Sequence, residues 1–135
     1  MELIWSLDSG RMALVYERDD ERRRITVTLT GPVALAELIA NLERLAAEGV
    51  WDYAVLYDGH MATTALSLDA TRQLVQIVRE LTARHGPRGP VALVMPNEAH
   101  LRMARMYSTL AEGTGLTSEV FHDFVAAEAW LLSFS

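Results

Sequence analysis

Ile25-Thr26-Val27-Thr28-Leu29-Thr30-Gly31-Pro32, followed by Leu35 through Ala46, is the stretch whose reading decides the fold. In its first part Ile25, Val27 and Leu29 alternate with three threonines, the period-two pattern of a strand buried on one face. Gly31-Pro32 ends that strand. In its second part the period changes to 3.6. Leu35, Leu38, Ile39, Leu42, Leu45 and Ala46 share one stripe, while Glu37, Asn41, Glu43, Arg44 and Glu48 lie off it. Gly49 is a natural helix stop. A strand leading into an amphipathic helix is the first half of a β-α-β unit, so another strand should follow.

Working outward, Tyr53-Ala54-Val55-Leu56-Tyr57 supplies it, a short apolar run bounded by Asp52 and Asp58-Gly59. Such runs suit a parallel strand covered on both faces. The spacing then predicts a helix over Leu68–Arg84, with Leu74, Ile77, Val78 and Leu81 inward and Arg72, Arg79 and Glu80 outward. Gly86-Pro87-Arg88-Gly89-Pro90 breaks it. Val91–Met95 is a second buried-strand run, ended by Pro96. Asn97 is a good N-cap for a third helix with Met103, Met106, Tyr107 and Leu110 inward, closed by Gly113 and Gly115. Glu119–Phe121 forms a last short strand, and Asp123 caps a final helix burying Ala127, Trp130 and Leu131.

Toward the N-terminus, Leu3–Leu7 and Met12–Glu17 flank the turn-rich Asp8-Ser9-Gly10-Arg11, which reads as a hairpin. Arg18–Arg24 reads as a solvated turn, because Glu17, Asp19, Asp20 and Glu21 nearly neutralise its arginines. The expected order is β-β-β-α-β-α-β-α-β-α. It describes one α/β domain over residues 1–135, a mainly parallel sheet with an N-terminal antiparallel hairpin and about four helices.

Composition narrows the function. The 135 residues are 50% hydrophobic and 22% charged, a globular balance. A net charge of −6 speaks against nucleic-acid and anionic-membrane partners. With no cysteine, disulfides, thiolate zinc sites and cysteine nucleophiles are excluded. All twelve basic residues are arginine, so there is no Schiff-base or P-loop lysine. The only glycine at the first strand-helix turn is Gly31, too few for a dinucleotide fingerprint, and no G-x-S-x-G elbow occurs. His60, His85, His100 and His122 are not paired at metal-ligand spacing. No catalytic residue, metal or cofactor is therefore expected. The N-terminus shows no secretory pattern and the longest apolar runs are about five residues, far short of a bilayer span. A soluble, bacterial-type cytoplasmic protein is the expectation.

Several of these segments are similar to one known family. Ile25–Gly31 with Leu35–Leu42 resembles the second-strand-to-first-helix unit of anti-sigma-factor antagonist (STAS) domains. Tyr53–Asp58 resembles their next strand with its terminal acid. Val91–Pro96, then Glu119 through Trp130 and Leu131, resemble the later strand and closing strand-helix of SpoIIAA-like proteins. The resemblance runs from about Leu3 to Leu132. It implies a non-catalytic regulatory module that binds a partner protein through the segment after the acid-terminated strand; a homodimer is compatible with it. In the antagonist branch a Ser or Thr of an Asp-Ser-Ser-Gly segment is phosphorylated by a partner kinase. Here Asp58–Asp69 lacks that segment, and neither Thr63, Thr64 nor Ser67 matches the phosphosite. A related branch, the CRAL-TRIO-type lipid-exchange domains, makes a small apolar ligand of lipid type the second reading.

The expected binding surface follows from position. Open α/β sheets take ligands at the carboxyl ends of their strands. Asp58 ends a strand there, and Asp58–Ser67 reads as a polar loop longer than the usual strand-to-helix connection. Asp58, His60, Thr63, Thr64 and Ser67, with Asn97 after the neighbouring strand, are the candidate binding residues.

Overall fold

Six strands join in one sheet whose spatial order is the order of the chain. The computed structural model describes residues 2–5 and 13–134. Strands β1 (Glu2–Trp5), β2 (Ala13–Asp19) and β3 (Arg24–Pro32) pair antiparallel. Strands β4 (Ala54–Thr64), β5 (Val91–Val94) and β6 (Ser118–Phe121) continue the sheet parallel to β3. The expected turn Asp8–Arg11, and the strand ends beside it, lie outside the described residues.

Each parallel step is made by a helix: α1 (Leu35–Ala47), α2 (Leu68–His85) and α3 (Glu98–Ala111). These three cover one face. Ile25, Val27, Leu29, Val55, Tyr57, Val91 and Leu93 point into a common core with Leu42, Leu45, Val75 and Val78. The opposite face carries a smaller core, where Leu56, Ala92 and Val94 meet Ala127 and Leu131 of α4 (Phe124–Leu132). Val55 and Leu56, adjacent in sequence, are both fully buried, one on each face. The continuous apolar run at 53–57 is read correctly as a strand covered twice.

Four expectations need correction. The segment after Asp58 is strand, not loop: β4 runs to Thr64, pairing Met61 with Thr30, Ala62 with Gly31 and Thr64 with Pro32. Asp-Gly suggests a turn by its local chemistry, yet Gly59 serves another purpose. A Cβ at this position would lie 3.0 Å from the Val94 carbonyl oxygen, a tight contact, so glycine eases the passage of β4 beyond the end of β5. Two register shifts accommodate the extension, and Gly31 takes φ +86° at the second.

On α3, His100, Leu101, Ala104 and Ala111 are buried, and Tyr107 and Leu110 pack half-buried against the core as expected, but Met106 is exposed rather than inward. Met106 stands two residues past the buried Ala104, about 200° around the helix, and so falls on the opposite side. Asn41 is not on a solvated face but buried, bonded to Tyr57. Finally, Arg24 is not part of a solvated turn. Its guanidinium is buried against Glu128 of α4 (Nη1···Oε2 3.1 Å), pinning that helix to the sheet.

Candidate functional site

The residues picked out near the carboxyl end of β4 divide into three groups. Asp58 is buried, and its Oδ1 accepts the backbone N–H of His60 (3.2 Å) and its ring Nδ1–H (2.6 Å). An Asp two residues before a His in an extended strand puts both side chains on the same side, which makes the second contact possible. Asp58 thus holds the half-exposed imidazole rather than meeting a partner itself. His60, Thr63 and Thr64 are exposed. Beyond the Asp58–Val94 pair β5 has ended, so this part of β4 is paired only with β3.

Ser67 and Asn97 are helix N-caps. Ser67 Oγ accepts the Ala70 N–H (3.1 Å) at the start of α2, and Asn97 Oδ1 accepts the His100 N–H (3.1 Å) at the start of α3. Satisfying these otherwise orphaned donors gives both residues a structural duty. Only Ala65–Ser67 remains as a connection between β4 and α2.

Between these two helix starts and the end of β4 lies an apolar cavity of about 100 Å³. Leu29, Leu38, Leu74, Leu93, Met95 and Ala104 form much of its lining, and Ala62, Leu66 and His100 bring the site elements to its wall. Behind it sits a polar group that sequence reasoning missed. Tyr57 Oη accepts from Asn41 Nδ2 (2.8 Å) and Arg88 Nη2 (3.0 Å), and Arg88 Nη1 reaches Tyr107 Oη (3.4 Å). The Arg88 guanidinium also lies 5.1 Å from the Trp51 ring centroid. Burial pushes the Tyr107 hydroxyl above its usual range, so it stays neutral. Arg88 stands in a Gly/Pro-rich breaker, and only its tertiary neighbours reveal that it is buried.

The overall fold is shared with a solved protein. No family model matches the sequence, and no curated protein matches it. Among solved structures, the chain superimposes on the crystal structure of an anti-sigma factor antagonist from Mycobacterium paratuberculosis with a TM-score of 0.60. The match covers 92% of this chain and 97% of that one, at 12% identity. The chain has a STAS-type fold. With so few identities the likeness concerns architecture, and site chemistry must come from this chain's own residues. Among the described residues the STAS-type scaffold carries no cluster of three or more His, Asp or Glu placed to hold a metal, and no helix long and apolar enough to cross a membrane.

Proposed function

We propose that this protein is a cytoplasmic, non-catalytic regulatory module that captures a partner protein at the carboxyl edge of β4. The observation that carries the reading is the STAS-type fold, shared over nearly the whole chain with an anti-sigma factor antagonist. On this chain the contact residues are His60, Thr63 and Thr64. Asp58 fixes the imidazole, and Ser67 and Asn97 shape the helix starts on either side. Two hydroxyls and an oriented imidazole offer donors and acceptors, which suits a polar protein surface. A lipid-type ligand is less well supported, because the apolar space is about 100 Å³.

The test is site-specific photo-crosslinking in host cells, with the crosslinker at Thr64 and, separately, at Glu21 in the distant hairpin. A single protein species should be captured from Thr64 only. Adding His60→Ala to the Thr64-labelled chain should reduce its yield by about tenfold or more, as expected for a contact of hot-spot size. Equal capture from both positions, or yields unaffected by His60→Ala, would put the docking edge elsewhere.

A further inference from the structure

The closing helix differs from the other three in what it shows to solvent. The outward faces of α1, α2 and α3 carry charge: Glu43 on the first, Arg72, Arg79 and Glu80 on the second, Arg102 and Arg105 on the third. Of the nine residues of α4, Phe-Val-Ala-Ala-Glu-Ala-Trp-Leu-Leu, only Glu128 is polar, and its carboxylate is engaged by Arg24. The apolar residues are spread around the helix instead of gathered on one side. A helix apolar on all sides normally belongs in an interior. Here only Ala127 and Leu131 are buried against the sheet, while Val125, Ala129 and Leu132 form a stripe on the far side, at the four- and three-residue spacing of one helix face.

The stripe is well exposed. Val125 is 72% accessible and Leu132 55%, and Phe124 (39%) and Phe134 (49%) extend the patch beyond the two ends of the stripe. Phe134 is held edge-on against Trp130, with ring centroids 4.8 Å apart. Together these side chains leave roughly 400–500 Å² of apolar surface in water, a patch size that is often functional in a monomer. Its layout suits a copy of itself. Val125 and Leu132 lie at equal distances from a point beside Ala129, so a two-fold axis there brings Val125 of one copy onto Leu132 of the other. The small Ala129 next to the axis lets the two helices approach closely, and the stripe has no charge to desolvate, as in the core of homodimer interfaces. Two such patches would bury about 800–1,000 Å², below the standard interface, so the association should be weak, with a Kd of about 10–100 μM. A lipid surface fits less well, because α4 has no arginine of its own and follows directly on Asp123.

We infer that α4 is the docking face for a second copy of this chain, packed antiparallel across a two-fold axis near Ala129 so that Val125 meets Leu132 of the partner subunit. The inference does not rest on partner capture at β4 and can fail without it. Sedimentation equilibrium of the full chain from about 5 to 500 μM should fit a monomer–dimer equilibrium in the range above. Val125→Arg and Leu132→Glu, each at an exposed position, should keep the thermal melt of wild type while weakening self-association about tenfold or more. Mixing the two variants tests the pairing itself. In the antiparallel dimer the new arginine faces the new glutamate, so the mixture should associate about tenfold more strongly than either variant alone, and this gain should fade at high salt. A wild-type chain that stays monomeric at about 500 μM overturns the inference; its sedimentation with phosphatidylcholine vesicles would then assign the patch to a lipid surface. Self-association unaffected by Val125→Arg, or a mixture no stronger than its components, overturns it as well. The wild-type outcome can be read whether or not the variants fold.

Discussion

Tyr57→Phe removes one oxygen atom and tests the buried polar group directly. In the folded protein that oxygen accepts from Asn41 Nδ2 at 2.8 Å and from Arg88 Nη2 at 3.0 Å. Neither donor has an obvious substitute. Asn41 is 4% exposed and Arg88 8%, Arg88 Nε is already unpartnered, and the remaining Arg88 contact to Tyr107 is long at 3.4 Å. The substitution keeps the ring and its packing, so the cavity term is small. What remains is the cost of two stranded donors, about 1–3 kcal/mol for the neutral amide and more for the charged guanidinium. Together they should cost about 3–5 kcal/mol of a total of ~5–15. At this chain length each kcal/mol lowers Tm by about 3–5 °C, so Tm should fall by about 10–20 °C. Urea unfolding followed by tryptophan fluorescence is a suitable assay, because Trp51 is buried beside Arg88. The double variant Asn41→Leu/Tyr57→Phe should recover part of the loss, since it removes the stranded amide as well. A loss below about 1 kcal/mol for Tyr57→Phe would refute the reasoning, because both donors would then have other partners.

Three further outcomes are expected. Arg24→Gln should cost about 2 kcal/mol in urea unfolding, breaking a largely buried ion pair to Glu128, whereas Arg22→Gln, on an exposed side chain, should lie within about 0.5 kcal/mol of wild type. Acid should weaken the fold through two carboxylates. Hydrogen bonds from Arg18 and Tyr53 hold Asp20 below its ordinary value, and for Glu48 the bonds from Arg44, Tyr16 and Arg18 outweigh a burial effect of opposite sign. Both groups are ionised more readily when folded, so their stabilisation is complete at neutral pH and is lost as pH falls through and below the usual carboxylate range. Thermal melts of wild type and Glu48→Gln should therefore converge at low pH; a constant gap would argue against the assignment. Ser67→Ala should lower stability by about 1 kcal/mol through loss of the α2 cap, with Ser67→Asp restoring it; equal melts for all three would remove the capping role.

The architecture was legible because it depends on patterns that the chain repeats locally. Alternation at Ile25–Thr30, the 3.6 period at Leu35–Ala46 and the apolar runs at Tyr53–Tyr57 and Val91–Met95 each state how many faces an element buries, and burial is the dominant favourable term in folding. The caps at Asn97 and Asp123 were legible for the same reason, since capping involves only a few neighbouring residues. The candidate site was legible in position but not in form. Asp58-Gly59 has the local chemistry of a turn, and nothing within the segment states that β3 offers partners as far as Pro32, or that a carbonyl of β5 passes close to Gly59.

What the sequence alone determined, then, is the order, type and facing of the elements, and with them a STAS-type α/β fold. What only the tertiary structure decided is where the polar groups end up. Arg24, Asn41 and Arg88 are residues that ordinarily lie at the surface, and in the chain they look no different from their exposed neighbours. Each is buried because a partner distant in sequence receives it: Glu128 for Arg24, and Tyr57 for both Asn41 and Arg88. Among the described residues, Arg88 Nε and His100 Nε2 are buried nitrogens with no hydrogen-bond partner. Hydrophobic periodicity is a one-dimensional signal, whereas the pairing of a polar group depends on donor and acceptor geometry that exists only once the chain has closed.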